Sequence, residues 1–239
     1  MNIQPYIVLN NKDSRQIKGL LVSALAPISK PQVRTQVETV DGRDGDIVTP
    51  LGFSAYDKVI TIGLTYGYNV DDIIEYFNSS GAVVFSNEPD KIYQYAIYEQ
   101  IDFERLIRFK KAEVTFHVQP FKRSSSEFEK TFTVEADQVI KVRNNGNIYS
   151  RPKLTITGSG DVNLYINGVQ ILTIALGESS QTIIIDAEQM NAYNSSNVLL
   201  NRLVTGNYDN IKFNIGYNSI SFVGGTVTQL KVDNYSRWI

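Results

Sequence analysis

A mainly β protein with two domains is the fold class this sequence predicts, and three observations predict it. Short runs of alternating apolar and polar residues recur through nearly the whole chain. Turns rich in Gly, Asn and Asp separate the runs, and only one segment carries a helical period. The expected N-terminal domain, residues 1–123, is a β-sandwich or barrel-like unit with one short helix. A linker covers 124–129, and residues 130–239 form a second β-sandwich of jelly-roll type.

In chain order, Gln4 to Asn10 reads as a strand closed by an Asn10–Asp13 turn, and Ile17 to Leu25 as a second strand broken at Pro27 and Pro31. Gln32 to Val40 alternates strictly, with Val33, Thr35, Val37 and Thr39 on one face. The glycines of Val40-Asp41-Gly42-Arg43-Asp44-Gly45-Asp46 then allow a sharp reversal at the surface, and the next strand runs from Asp57 to Tyr66. Val70, Ile73, Ile74 and Phe77 give the single helical stripe. Asn69 stands at the N-cap and Asp71 and Asp72 in the first turn, so a helix of about two and a half turns is expected across a sheet. Strands resume at Ala82–Ser86, Lys91–Ile101 and Ala112–Gln119. The polar, serine-rich stretch Phe121 to Glu127 follows and marks the domain boundary.

The second half is read as almost pure β. Lys130–Val134 and Val139–Arg143 flank an acidic turn, and Lys153–Thr157 ends at Gly158-Ser159-Gly160. Val162–Ile166 meets Val169–Ile174 across Asn167-Gly168, a pair that supplies the two positive-φ positions of a tight hairpin. Thr182–Asp186, Ile211–Ile215, Asn218–Val223 and Thr226–Val232 complete the set.

Composition excludes several functions. The net charge is −2, with 14 basic and 15 acidic residues in 1–123 and 9 and 10 in 124–239, so there is no basic domain or stripe to mark a nucleic-acid binder. With no cysteine there is neither a disulfide nor a Cys-ligated metal site. Met1 to Gln16 does not read as a signal peptide, and no apolar run nears the ~20 residues of a membrane helix. A soluble protein made in a bacterial cytoplasm is expected. The 14 tyrosines suit both strand faces and interfaces.

No motif places catalytic chemistry. Asp41, Asp44 and Asp46 miss the ligand spacing of a calcium loop, so no metal or cofactor is expected, and Arg43 pairs with a carboxylate locally or across a subunit contact. His117 is the sole histidine and shares the polar strand face of Glu113, Thr115 and Gln119. There is no Gly-x-Ser-x-Gly turn to serve it, so an exposed or interface histidine is expected and no enzyme activity. Arg105, Arg108, Lys110 and Lys111 fall in a turn between two strands, as a solvated hairpin tip or a contact with an acidic partner. Exposed aromatics of the second half, Tyr165, Tyr193, Tyr217 and Trp238, are the candidates for stacking on a sugar. Alternatively, Trp238 anchors the end of the chain against a core.

The long polar strand, the Val40–Asp46 turn and the strand from Asp57 to Leu64 together resemble the N-terminal domain of siphophage distal tail (Dit) proteins. Similar features continue in order: Gln119-Pro120-Phe121, Asn144 to Pro152, Leu154 to Gly160, Asn214 to Ile220, and the closing Asp233-Asn234-Tyr235-Ser236-Arg237-Trp238. The chain has no room for an inserted carbohydrate-binding module and so resembles the short form of that family. The resemblance implies a structural virion protein at the phage tail tip. Its N-terminal domain, with an extended hairpin, would form a homohexameric ring, a baseplate hub joined to the tail tube protein, a tail-associated tip protein and a receptor-binding protein. DNA would pass through the ring without specific binding. The second domain would be galectin-like and support host attachment. Subunit contacts are then expected at Arg43, Asp44 and Asp46 and at a hairpin tip over Phe103, Arg105, Arg108 and Lys110. The alternative is a carbohydrate-binding or host-adhesion module acting through the second domain.

Overall fold

In a computed structural model that describes residues 4–239, the chain divides into two compact units, one running to Ser125 and the other from Ser126 to Trp238. The first unit contains β1 (Ile7–Leu9), β2 (Lys12–Asp13), β3 (Leu20–Ala24), β4 (Val33–Thr39), β5 (Asp46–Phe53), β6 (Tyr56–Leu64), α1 (Val70–Phe77), β7 (Ser80–Phe85), β8 (Lys91–Ala96), α2 (Phe103–Phe109) and β9 (Lys111–Ser124). Seven of these strands make one antiparallel sheet in the order β2-β1-β7-β8-β9-β6-β3. Strand β9 is long enough to change partners. Its first half, Lys111–Val118, pairs with β6, and its second half, His117–Ser124, pairs with β8, so the sheet curls around its own core. That core is aromatic: Phe116 lies edge-on to Phe77 and Phe85, and Tyr93 to Phe85.

Helix α1 starts as its sequence dictates, with the Asn69 side chain accepting from the Asp71 amide at 3.1 Å. The buried stripe differs from the expected one. Ile73, Tyr76 and Phe77 face the core, while Ile74 is left 40% exposed. Tyr76 takes the inward place because its hydroxyl donates to the carbonyls of Ile7 and Lys12 at 3.2 and 3.1 Å, which satisfies a polar group in an apolar core.

Two further readings are corrected. Phe121 to Ser124, read as part of a polar stretch, continues β9, with Lys122 paired to Tyr93 and Arg123 to Ile92. Residues 103–109, read as a turn, form helix α2. Asp102 accepts from the Arg105 amide at 2.7 Å, Leu106 is buried to 1%, and Lys110 ends the helix at φ 56°.

The second unit contains β10 (Lys130–Thr133), β11 (Ile140–Asn144), β12 (Lys153–Ile166), β13 (Val169–Ala175), β14 (Gln181–Asp186), β15 (Asn191–Tyr193), β16 (Val204–Gly206) and β17 (Gly216–Asp233). The expected turn at Gly158-Ser159-Gly160 is instead a bend inside one continuous strand, and the same holds for Gly224-Gly225 in β17. At these points the β12–β17 register shifts, and a Cβ on Gly158 would lie 2.2 Å from the Thr226 carbonyl oxygen, so the two backbones cross where only glycine fits. The bend divides the ladder in two. One half runs β10-β17-β12-β14-β15, the other β11-β17-β12-β13-β16, and both contribute to a single core. Residues 211–215, read as a strand, contribute only a bridge between Phe213 and Ser150. The Asn167-Gly168 turn has the expected positive φ values of 52° and 79°.

The end of the chain is stitched to the motif after β11. Asn144 is buried, donates to the carbonyls of Ile148 and Phe213 and accepts from the Gly146 amide. The Ser150 hydroxyl donates to the Tyr235 carbonyl at 2.7 Å, and Ser236 accepts from the Asn145 amide at 3.0 Å.

Candidate functional site

The most exposed element of the first unit is the β4–β5 hairpin, which pairs with no other strand. Its cross-strand register places Val33 opposite Phe53, Thr35 opposite Pro50 and Val37 opposite Val48, giving one largely apolar face. Val37, Val48 and Leu51 are 55–57% exposed. A lone two-stranded ribbon is at best marginally stable in water, and both of its outer edges leave backbone groups unpaired. The tip is hydrophilic. Gly42 and Gly45 take φ values of 80° and 77°, and Thr39 donates to Asp46 at 3.2 Å. Arg43, Asp44 and Asp46 are all exposed, and Arg43 makes no ion pair among the described residues.

The root of this hairpin rests on a buried charged cluster that the sequence did not announce. Lys58, on β6, is 1% exposed and donates to the carbonyl of Pro27 at 2.9 Å, while Asn87 donates to that of Ala26 at 3.0 Å. These bonds fix the segment that leads into β4. The Lys58 ammonium also lies 5.2 and 5.4 Å from the ring centres of Tyr93 and Phe85. Glu88 accepts from Lys122 at 2.9 Å and from the Tyr93 hydroxyl, so a single carboxylate binds a buried ammonium and a buried phenol while its charge also acts on Lys58. Burial holds the Lys58 amine below the usual lysine range and Lys122 adds to this, while Glu88 opposes it. Burial, then Glu88, pushes the Tyr93 phenol far up.

Helix α2 forms a second surface. Ile107 and Phe109 are 42% and 67% exposed, and a shallow depression of about 200 Å³ lies beside Ile74, Ile97, Tyr98 and Phe103. Arg105 and Arg108 are solvated, and Lys110 donates to the Tyr68 hydroxyl at 3.1 Å. His117 pairs with Asp57 at 2.8 Å and lies against Tyr98. Among the described residues, no group of three His, Asp or Glu side chains is placed to hold a metal ion, and no helix is long and apolar enough to cross a membrane.

In the second unit the structure separates the four candidate stacking residues. Tyr165 (β12) and Tyr217 (β17) share the outer face of the β11–β16 half, with Tyr217 71% exposed. Tyr193 lies on β15 in the other half, and Trp238 is half-buried at the chain end. A depression of about 490 Å³ beside Tyr217 is lined by Lys141, Asn167, Asn218 and Ser219.

No protein-family model and no curated protein sequence matches the chain. Among solved structures, the crystal structure of phage SPP1 Dit superposes with a TM-score of 0.67 at 15% identity, over 98% of this chain and 99% of that one. It is described as a paradigm of the hub adsorption apparatus in phages that infect Gram-positive bacteria. Two structures of the phage p2 baseplate in its activated conformation, with Sr and with Ca, superpose more loosely. Their TM-scores are 0.49 and 0.45, at 9% and 8% identity, over 96% and 99% of this chain and 97% and 98% of theirs. From end to end, this chain has the fold of the phage distal tail protein SPP1 Dit.

Proposed function

We propose that this chain is a structural, non-catalytic component of a phage tail tip. Its N-terminal unit assembles as a homohexameric ring that joins the tail tube to tip or baseplate proteins and lets DNA pass. The observation that carries the reading is the full-length likeness to a tail hub, coupled to an isolated hairpin whose outer apolar residues Val37, Val48 and Leu51 are more than half exposed. The hairpin tip with Arg43, Asp44 and Asp46, and helix α2 with Phe103, Arg105, Arg108 and Lys110, are the surfaces offered to neighbouring subunits. The tail tube protein, a tail-associated tip protein and a receptor-binding protein are the further partners. An even, slightly negative charge suits a passage that must not retain DNA phosphates. The protein is then made in the host cytoplasm and resides in the virion.

Native mass by light scattering over a concentration range tests the reading. A species of six times 26.9 kDa is the expected result. A strict monomer both alone and when mixed with tail tube and tip proteins would refute the ring.

A further inference from the structure

We infer that the outer face of the β11–β17–β12–β13 half of the second unit is a saccharide-binding surface, with Tyr217 as the stacking ring and Lys141 and Arg143 favouring sugars that carry a negative charge.

The strand register builds this face. Inward positions such as Val142, Leu164 and Ile220 fill the core, so their neighbours must face out. Lys141 stands opposite Ser219 and Arg143 opposite Tyr217; on the next strand Tyr165 stands opposite Ser221. Farther along, Asn163 is opposite Thr173, and a bulge after Leu164 brings Gln170 opposite Tyr165. The result is a sheet face of hydroxyls and amides around two tyrosines, where a solvated strand surface ordinarily carries long charged side chains.

Its polar groups are held in place before any ligand arrives. Gln170 donates to Asn163 at 3.0 Å and to Thr173 at 3.2 Å, Thr173 donates to Asn163 at 2.8 Å, and the Tyr165 hydroxyl donates to Gln170 at 3.1 Å. Near Tyr217, Asn167 donates to Asn218 at 2.9 Å, which fixes the rim of the 490 Å³ depression. Among the described residues, these bonds leave the Asn163 amide nitrogen and the Ser219 and Ser221 hydroxyls without hydrogen-bond partners, free to meet sugar hydroxyls. Side chains that are already ordered lose little entropy on binding. The Arg143 guanidinium lies 5.4 Å from the Tyr217 ring centre and restrains that ring.

Ring and polar network lie four residues apart along the strands, roughly 13 Å at the usual rise, which suits an oligosaccharide better than a single sugar. The charge is asymmetric. Lys141 and Arg143 are exposed without an ion-pair partner among the described residues, and the one outward carboxylate on this half of the sheet, Asp161, stands at the bend in β12.

The test is titration of the full chain, by calorimetry and saturation-transfer NMR, with a tetrasaccharide containing glucuronic acid and with its carboxyl-reduced neutral counterpart. The acidic sugar is expected to bind in the range of about 1 mM or tighter and the neutral one more weakly. Tyr217→Ala should weaken binding at least about tenfold, K141Q/R143Q should abolish the preference for the acidic sugar, and Tyr193→Ala should change nothing; a tenfold change is about 1.4 kcal/mol. All these positions are exposed or half-buried, so circular dichroism should show an unchanged fold. No binding of either sugar at about ten times that concentration, or binding indifferent to Tyr217→Ala, would overturn the inference. So would occupation of this face by another tail protein with no saccharide signal. The ring is not involved: a chain that stays monomeric and binds the sugar supports this inference while the ring fails, and the reverse holds equally.

Discussion

Glu88→Gln is the substitution that most sharply tests how the hairpin root is held. Gln keeps the shape and one acceptor oxygen, for Lys122 at 2.9 Å, while its amide nitrogen replaces the oxygen that accepts from the Tyr93 hydroxyl and the charge is lost. The side chains of Lys122 and Glu88 are 5% and 11% exposed, and Lys58 beside them is 1% exposed. The variant therefore strands two positive charges in a low-dielectric core. Breaking a buried ion pair on one side costs about 3–5 kcal/mol. With a urea dependence of about 2 kcal/mol per M for a unit of this size, the midpoint should fall by about 2 M. The readout is urea unfolding followed by near-ultraviolet circular dichroism, which reports the tyrosines packed around Phe116. The triple variant E88Q/K58M/K122M should recover most of the loss, since replacing a whole buried charged set with apolar side chains is nearly neutral. Because Lys58 holds the Pro27 carbonyl, Glu88→Gln should also raise proteolysis within 27–32, ahead of β4. A fall of less than about 0.5 M for Glu88→Gln, or a triple variant worse than the single one, would refute this account of the cluster.

Other substitutions separate assembly from folding. V37K/V48E adds an opposite-charge pair directly across an already exposed face, so the monomer should keep its stability within about 0.5 kcal/mol while the high-mass species disappears in light scattering. Gly146→Ala puts a Cβ 1.8 Å from the Arg237 carbonyl oxygen, backbone that cannot swing aside, and should cost about 3 kcal/mol or more in chemical denaturation. Gly42→Ala meets nothing but its φ of 80°, so about 1 kcal/mol is expected. Burial raises the Glu127 carboxyl above its usual range, so its charge costs more in the folded than in the unfolded state. That cost is absent below the unfolded value and complete above the folded one. Glu127→Gln, which still accepts from the Ser236 amide, should raise the thermal midpoint at pH 7 and lose that advantage as pH falls toward 4.

Local chemistry was legible in the sequence wherever it was sufficient on its own. Asn69 and the two aspartates after it specify the start of α1, and Asn167-Gly168 specifies a tight hairpin, because these signals act within a few residues. The errors arose where tertiary context decides. Gly158-Ser159-Gly160 reads as the end of a strand, and only the crossing of Thr226 shows that it is a bend shared by two ladders. Strand β5 gives no strand signal because Pro50 and Gly52 lower its propensity, though both are tolerated in a ribbon whose outer edge pairs with nothing. Helix α2 did carry a signal, Asp102 as N-cap before Phe103, Leu106 and Ile107, but its four basic neighbours suggested a solvated turn. The buried cluster was invisible, since Lys58, Glu88 and Lys122 are distant in sequence and each alone reads as a surface charge.

The exposed hairpin also bears on how a ring would form. Val37, Val40, Val48 and Leu51 retain about half of their surface, so covering all four adds roughly 1 kcal/mol each, about 4 kcal/mol per contact. The loss of translational and rotational freedom on pairing two subunits costs about 4–15 kcal/mol. A single hairpin contact therefore comes out near zero or unfavourable, and a dimer held by it alone should not accumulate. Closing a ring changes the balance, because the last subunit gains two contacts for one loss of freedom. Assembly should then be steeply cooperative, with monomer and closed ring as the populated species and little between them. A tail-tube template that prepositions the subunits would lower the concentration required. Native mass spectrometry across the transition decides this: a ladder of dimers, trimers and tetramers would mean that α2 or another surface supplies far more contact energy than the hairpin.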